Sequence, residues 1–240
     1  MTRIAHITDI HIEHQFPKKH GVDALQNWEL LLADVKKRKV DFLVFGGDIG
    51  ETSMFPYFFE SLNRIGIPYY MVLGNHDKYA EVKSHLNLNK SLNENELFYT
   101  FHDDDHQFFV LDSSIGKLSN LQQDWFLSAL DQTHLMPVVF VHHPFLPVST
   151  RVDIDFPLLK RKSLVKKIAK INHQVVLICG HYHTDSHIVQ NNINQYVTPS
   201  GAFQILQNTD TIQVDPNDFG YRLIQIDKGQ VQTEIIRFFL

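Results

Sequence analysis

Short hydrophobic runs recur along the chain and end in polar residues. A continuous apolar run predicts a strand that is buried on both faces, because a half-buried strand alternates apolar and polar positions. Five segments predict such strands by their apolar, β-branched character. They are Arg3–Thr8, Asp41–Phe45, Ile67–Leu73, Pro137–Val141 and Gln174–Cys179.

Helical periodicity separates several of these runs. Apolar residues three and four apart give a segment one hydrophobic face, which indicates an amphipathic helix. One helix is capped by Ser119 and carries Gln122 at the capping-box position. We expect that helix to bury Leu121, Trp125, Phe126 and Leu130. The other predicted helices are Val22–Lys39, Ser53–Ile65 and Leu158–Ile171.

The remaining segments predict hairpins and loops. Leu97–Phe101 and Gln107–Leu111 predict paired strands. The His/Asp cluster His102–His106 between them could bind a metal, but we interpret it as a solvated turn because Asp-rich sequence between two strands more often forms one. Residues 148–156 predict an irregular surface loop in a position to overhang a site. After Asp185 the helical pattern stops.

The C-terminal part predicts a second, antiparallel block of strands. Its segments alternate or run apolar, with turns at Asn191-Asn192 and Lys228-Gly229. We expect this block to share one core with the βα units, so that residues 1–240 form a single domain. The predicted strands are Ser186–Gln190, Asn194–Thr198, Tyr221–Asp227 and Val231–Phe238.

Polar side chains follow the five buried runs at the points where the strands end. Asp9 and His11 are two residues apart, so in extended chain they face the same side. Ligands of open α/β sheets bind outside the carboxyl ends of the strands. The strand-end residues are Asp9, His11, Asp48, Asn75, His76, His142, His143, His181 and His183.

The composition is ordinary except for histidine. Hydrophobic residues make up 43% and charged residues 20% of the 240 positions, as in soluble globular proteins. The net charge of −5 argues against a general nucleic-acid or membrane-surface binder, which is usually basic. Histidine is the commonest metal ligand, and its 15 copies draw attention to the strand ends.

The cysteine content and the N-terminus indicate a cytoplasmic protein. Cys179 is the single cysteine, which excludes an internal disulfide and fits a reducing compartment. It lies inside an apolar run, so we interpret it as a packed core thiol. The N-terminus lacks the shape of a signal peptide, and no apolar stretch approaches the roughly 20 residues that span a bilayer.

The strand-end side chains are imidazoles, carboxylates and one amide. Nitrogen and oxygen ligands suit first-row metals such as Mn, Fe, Zn or Co. A lone Asp-x-His at a strand end is more often a simple turn, but five such clusters together are not explained by chance. The cluster is too large for one ion, which favours two. Asp48 is the natural bridging residue, because it follows the strand that looks most central.

The strand-end motifs resemble those of the calcineurin-like metallophosphoesterases. The motifs, in order, are Asp9-x-His11, Gly47-Asp48, Gly74-Asn75-His76-Asp77, His142-His143-Pro144 and Gly180-His181-x-His183. The tail is similar to the bacterial class III cyclic-nucleotide phosphodiesterase branch in Thr198–Gly201, Phe203-Gln204 and Gly220–Arg222, as is Val110–Ser113. The resemblance implies an α/β (α+β) metallophosphoesterase fold, a two-sheet β-sandwich flanked by helices in αββα layers.

The resemblance also implies a role for each strand-end residue. One metal ion would bind Asp9, His11, Asp48 and His183. The second would bind Asp48, Asn75, His142 and His181. His143 would lie behind the ligands. His76 would face the phosphate and donate to an oxygen of the substrate, and Asp77 would help to orient it. A metal-bound hydroxide would attack phosphorus.

The sequence therefore predicts a dinuclear-metal phosphodiesterase acting on a small phosphoester, a 3′,5′-cyclic nucleotide such as cyclic AMP. The chain is short for the class III branch, which leaves three matters open: nucleotide specificity, a possible homodimer, and activity on 2′,3′-cyclic nucleotides, glycerophosphodiesters or other phosphoesters. A non-catalytic metal-binding scaffold is the rival from another class, but every ligand position is present. The acidic balance and the lack of a basic, aromatic groove argue against a nuclease.

Overall fold

Two β-sheets carry most of the strands, and helices cover their outer faces. The computed structural model describes residues 1–86 and 93–239, and the elements below lie in these ranges. The strands are β1 Thr2–Ile7, β2 Phe42–Phe45, β3 Tyr69–Met71, β4 Tyr99–His102, β5 His106–Leu111, β6 Met136–Val141, β7 Val175–Cys179, β8 Ser186–Gln190, β9 Ile193–Val197, β10 Gln204–Ile205, β11 Val214–Asp215, β12 Asp218–Asp227 and β13 Gln230–Phe239. The helices are α1 Gln15–Lys19, α2 Ala24–Lys37, α3 Phe55–Ile65, α4 Tyr79–Val82, α5 Asn120–Gln132, α6 Arg151–Asp155 and α7 Arg161–Ile168.

The strand order brings the five predicted strands into two parallel groups. The first sheet has the order β13-β12-β1-β2-β3, and β1, β2 and β3 run parallel. The second has the order β4-β5-β6-β7-β9-β8, and β5, β6, β7 and β9 run parallel. The first sheet is therefore centred on β1, and β2, which looked most central in the sequence, is its neighbour.

Hydrophobic residues fill both faces of the sheets, as the continuous apolar runs predict. In β6, Val138 and Phe140 belong to the main core that includes residues of both sheets, whereas Val139 and Val141 pack in a second core. Helices α2 and α3 pack into the main core, and α5 and α7 pack into the second. This arrangement confirms the predicted two-sheet sandwich with flanking helices.

The helix capped by Ser119 begins as predicted and buries Phe126 and Leu130 as predicted, but it buries Gln122 in place of Leu121. Ser119 accepts a hydrogen bond from the backbone NH of Gln122. The Gln122 amide is fully buried and bonds the backbone NH and carbonyl of Asp112. Leu121 is 59% exposed, so its predicted burial is wrong. The helix rotates Gln122 inward because the end of β5 offers that amide both a donor and an acceptor.

Residues 148–156 and the C-terminal strands differ from the prediction. Thr150 caps a short helix, α6, inside the segment that was expected to be irregular. The C-terminal strands do not form one antiparallel block. Strand β9 runs parallel to β7 in the second sheet, whereas β12 and β13 join the first. This division follows from long-range pairing, which local alternation does not encode.

Two smaller predictions are confirmed. Strands β4 and β5 form a hairpin, and the turn between them is closed by Asp103, which accepts hydrogen bonds from the backbone NH and Nδ1 of His106. Cys179 is fully buried in the second core. Burial raises the pKa of the Cys179 thiol well above its usual range. In the described part of the chain, no helix is both long and apolar enough to cross a bilayer.

The loops after β2 and β3 touch through glycine backbone. Gly47 has a φ of 102°, and a Cβ atom there would lie 2.3 Å from the backbone nitrogen of Gly74. A Cβ atom at Gly74 would lie 2.0 Å from Oδ1 of Asp48. Both positions therefore require glycine, since real Cβ atoms do not approach other atoms so closely.

We predict that Gly47→Ala destabilises the protein more than Gly116→Ala. Both glycines have positive φ, which adds about 1–3 kcal/mol of strain to alanine. Only Gly47 meets a steric clash, because nothing lies within 4 Å of the Cβ position at Gly116. Overpacking should add about 1–3 kcal/mol for Gly47→Ala. Urea unfolding measures the difference, and equal losses in the two variants would contradict the close packing of the loops.

Candidate metal centre

The loops that follow β1, β2, β3, β6 and β7 meet at one edge of the two sheets. Backbone hydrogen bonds join them: the NH of Asp9 donates to Gly47, and the NH groups of Ile10 and His11 both donate to Asp48. The NH of Gly180 donates to the carbonyl of His142. All seven predicted metal ligands lie on these loops.

Asp9, His11 and His183 form the first part of the site. Oδ1 of Asp9 lies 3.2 Å from Nε2 of His183, and Nε2 of His183 lies 3.2 Å from Nε2 of His11. Nδ1 of His183 donates to the carbonyl of Phe203. In the neutral ring Nε2 therefore carries the lone pair, and it points at two other potential ligand atoms.

Asp48, Asn75 and His142 form the second part. Nδ1 of His142 donates to the carbonyl of Gly46 over 2.8 Å, which aims Nε2 at the site. That Nε2 lies 3.4 Å from Oδ2 of Asp48 and 3.2 Å from Oδ1 of Asn75. The same Oδ2 of Asp48 lies 3.7 Å from Nε2 of His11. Asp48 thus contacts both parts.

His181 is oriented by a backbone carbonyl and by a neighbouring imidazole. Its Nε2 donates to the carbonyl of Phe156 over 3.0 Å, so only Nδ1 remains for a metal. His143 packs on it with 4.1 Å between ring centroids. Nδ1 of His143 bonds Oγ of Ser113. His143 therefore packs against His181 and is itself held by Ser113.

Five of the seven predicted ligands have a left-handed backbone. The φ angles of these residues are positive, and such conformations cost non-glycine residues about 1–3 kcal/mol each. Residues of this kind cluster where function requires a fixed geometry. They are Asp9 (57°), His11 (45°), Asp48 (62°), His181 (70°) and His183 (47°).

Burial and charge prepare these side chains for a cation. Burial lowers the pKa of His11 to about 3 and that of His181 to about 4, so both rings are neutral at pH 7. Burial works against ionisation of Asp9, yet the His142 and His183 imidazoles lower the pKa of its carboxyl. Burial opposes the His142 charge as well, but Asp48 and Asp9 raise its pKa to about 10.

The residues present fit a metal site. Oδ1 of Asp9 is buried without a hydrogen-bond donor among the described residues, and so is Nδ1 of His11. Three overlapping groups bring ligand atoms within 4.8 Å of one another. These groups are Asp9–His11–His183, Asp9–Asp48–His142 and His11–Asp48–His76. A proton on His142 balances part of the carboxylate charge, and a metal ion would displace it.

Asp77 does not do what the sequence predicts. Its carboxylate accepts hydrogen bonds from the backbone NH groups of Asp48, Ile49 and Gly74 over 2.7–3.0 Å. It therefore joins the loops after β2 and β3, and no described hydrogen bond links it to the His76 ring. The His76 ring is exposed and makes edge contacts with His11 and His14 at centroid distances of 5.3 and 5.0 Å.

Comparison with known proteins identifies the family. The profile of the family described as calcineurin-like phosphoesterase matches residues 2–185. The chain belongs to the calcineurin-like phosphoesterase family. It is therefore a metal-dependent phosphoric ester hydrolase, as its five motifs predict.

Two relatives and one solved structure are similar to this chain. The 3′,5′-cyclic adenosine monophosphate phosphodiesterase of Escherichia coli is 25% identical over 251 residues, which cover 98% of this chain and 89% of that protein. A probable glycerophosphodiester phosphodiesterase of Arcobacter nitrofigilis is 27% identical over 217 residues, which cover 84% of this chain and 79% of that protein. The crystal structure of a dimetal phosphatase from Danio rerio shares the fold, with a TM-score of 0.69 at 12% identity. The match covers 99% of this chain and 98% of that protein.

The site of this phosphoesterase includes one histidine and several apolar side chains that the sequence did not identify. His14 is not among the strand-end residues, but its ring contacts those of His11 and His76 and lines the cavity over the ligands. Phe16, Phe156 and Ile212 line the same cavity. The excess of histidine pointed to His14, whereas nothing local marks the apolar residues, which come from distant segments.

We predict that Asp77→Asn lowers the free energy of unfolding as well as the turnover. One carboxylate oxygen would become an NH2 group that faces a backbone NH, and a buried unsatisfied donor costs about 1–3 kcal/mol. Chemical unfolding should show a loss of stability, and metal content should fall with it. The exposed Asp124→Asn is the matched control. Unchanged stability with a selective loss of turnover would instead support the original assignment of Asp77 to His76.

Proposed function

We propose that the protein is a phosphodiesterase that hydrolyses a 3′,5′-cyclic nucleotide, such as cyclic AMP, with two metal ions. The observation that carries the two-metal proposal is the position of Asp48. Its Oδ2 lies 3.7 Å from Nε2 of His11 and 3.4 Å from Nε2 of His142, between the two parts of the site. A carboxylate in that position suits a bridge between two ions.

The proposed ligand sets are those that the family resemblance implies. One ion would bind Asp9, His11, Asp48 and His183, and the other would bind Asp48, Asn75, His142 and His181. Each of these three rings keeps one nitrogen for a metal, Nε2 in His142 and His183 and Nδ1 in His181. Imidazole, carboxylate and amide ligands suit Mn, Fe, Zn or Co, and availability decides among them.

The chemistry of this site is phosphoryl transfer to water. Divalent ions bound there would neutralise the charge that develops on the phosphoryl oxygens. The exposed His76 ring lies at the mouth of the site and is the candidate to donate a proton to the leaving oxygen. The backbone NH of His76 donates to Oδ1 of Asp48, which places this donor next to the carboxylate between the two ligand sets.

The substrate class rests on relatives and on the cavity. Several relatives are named cyclic nucleotide phosphodiesterases, among them the Escherichia coli enzyme. The Arcobacter nitrofigilis relative favours a second candidate, a glycerophosphodiester substrate. A cavity with one apolar side supports a nucleotide over glycerol, which is polar throughout. The single, buried Cys179 supports a cytoplasmic location for this reaction.

We expect protein loaded with Mn²⁺ to hydrolyse bis(p-nitrophenyl) phosphate and 3′,5′-cyclic AMP. Asp48→Ala should abolish both activities, because it removes the ligand shared by both ions. A panel that includes 2′,3′-cyclic AMP, glycerophosphodiesters and simple monoesters measures the specificity. A fully metallated protein that is inert to every ester in the panel would refute the proposal and favour a binding scaffold.

We predict that His76→Ala and Asn75→Ala separate turnover from metal binding. His76→Ala should retain two metals and lose about 10²–10⁴-fold in kcat, the usual contribution of a general acid. Asn75→Ala should instead lower the metal content, because it removes an amide ligand. Metal analysis beside steady-state kinetics distinguishes them. If His76→Ala lost metal and kept its rate per bound metal, this division of roles would be wrong.

A further inference from the structure

The cavity over the metal centre has a polar end and an apolar end. Its volume is about 400 Å³, within the range of small-ligand pockets. The polar lining residues all belong to the strand-end cluster, except for His14, which contacts it. The remaining lining residues are apolar, and neither lysine nor arginine is among the described residues that line it.

Three exposed apolar side chains form the outer part of this apolar end. Phe16 is 46% exposed, Phe156 is 58% exposed and Ile212 is 39% exposed. They come from α1, from the residue after α6 and from the loop before β11. Single exposed apolar residues are common, but three from separate segments on one cavity mark a ligand-binding surface. We call these three residues the apolar wall.

Phe203 connects the apolar wall to the metal centre. Its ring packs against that of His183 at 4.5 Å and against that of Phe16 at 5.5 Å, and it is buried. One small molecule can therefore place a flat group on the apolar wall and still reach the metal-ligand atoms. A substrate that spans both ends has its phosphate at the histidines and its organic group on the wall.

The charges of the lining favour a diester. A phosphomonoester carries a second negative charge, and the described lining has no lysine or arginine to offset it. We propose that Phe16, Phe156 and Ile212 bind the flat base of a nucleotide diester by stacking and apolar contact, and that they accept different bases. This proposal rests on the proposed phosphodiesterase function and assigns its specificity.

Tolerance of the base follows from the chemistry of the apolar wall. A site that hydrogen-bonds a substrate group rejects analogues without that group by roughly 10⁴-fold, whereas an apolar pocket discriminates by only about 10–200-fold. Every base has a face that stacks on an aromatic ring. Because the apolar wall has no polar side chain, it distinguishes a base from no base much better than one base from another.

The first test compares two substrates that differ only in the base. One is 3′,5′-cyclic AMP, and the other is the same cyclic phosphate on a sugar that lacks the base. The wild-type protein should prefer cyclic AMP in kcat/KM, and Phe156→Ala should reduce this preference by about tenfold, the usual effect of one stacking contact. The backbone carbonyl that orients His181 remains in this variant.

Matched variants make the first test decisive. Phe239→Ala removes an exposed ring on β13 (77% exposed, against 58% for Phe156), outside the cavity, and should leave the preference unchanged. Ile212→Ala should reduce the preference as Phe156→Ala does, so the result does not depend on one variant. A preference that is the same in wild type, Phe156→Ala and Ile212→Ala would overturn the proposal.

The second test measures tolerance of the base. Cyclic AMP, cyclic GMP and cyclic CMP should have kcat/KM values within about 200-fold of one another, as expected for an apolar pocket. A preference of about 10³-fold or more for one base would overturn base tolerance, because it requires hydrogen bonds that the described lining does not offer.

A binding measurement separates this proposal from the proposed function. In saturation-transfer NMR with the metal-free protein, the base protons of adenosine should receive saturation, and Phe156→Ala should weaken the effect, whereas ribose should show none. If the metallated protein hydrolyses no diester while adenosine still binds, the proposed function fails and the apolar wall stands. If diesters are hydrolysed but adenosine contacts do not depend on Phe156, the apolar wall is wrong.

Discussion

The buried carboxylates of Asp9 and Asp48 impose the constraint on which the rest of the site depends. Their exposed fractions are 0% and 1%, and an uncompensated charge at such depth costs several kcal/mol. Protein donors satisfy one oxygen of each, through the backbone NH groups of His181 and His76. The other oxygens, Oδ1 of Asp9 and Oδ2 of Asp48, face Nε2 atoms of His183 and His142. A cation would bind between these oxygen and nitrogen atoms.

The backbone of the ligand loops is strained, and close packing between the loops holds it in place. The ligand loops contain five residues with positive φ, and they approach so closely that Gly47 and Gly74 admit no side chain. The Asp77 carboxylate connects two of these loops through three backbone NH groups. The sandwich therefore supplies the rigidity, and the strand-end loops supply the chemistry.

The cluster of strand-end residues was predictable from the sequence because each motif is local. Asp9 and His11, or His181 and His183, follow directly on a strand that its apolar run identifies. The role of Asp77 was not predictable, since its adjacency to His76 suggested a contact that the loop directs elsewhere. The parallel pairing of β9 with β7 was not predictable either, because nothing in the local sequence of either strand specifies its partner. The apolar wall combines Phe16, Phe156 and Ile212, which lie far apart in the chain.

The metal centre and the apolar wall together explain how one cavity combines chemistry with selection. Phe156 takes part in both, because its carbonyl orients His181 and its ring lines the apolar end. The helix α6 that precedes it is fixed by Asp153, which pairs with Arg161 and accepts a hydrogen bond from Tyr182, the residue between the two histidines of the last motif. Substrate recognition and ligand position are thus built on the same segment.

The central claim is that the strand-end residues hold two metal ions that share Asp48. Electron paramagnetic resonance of protein titrated with Mn²⁺ tests it most directly, because two ions bridged by one carboxylate couple magnetically. We expect two ions per chain with a coupled signal in the wild type, and loss of coupling in Asp48→Ala. A single ion per chain, with the isolated Mn²⁺ signal at saturation, would contradict it.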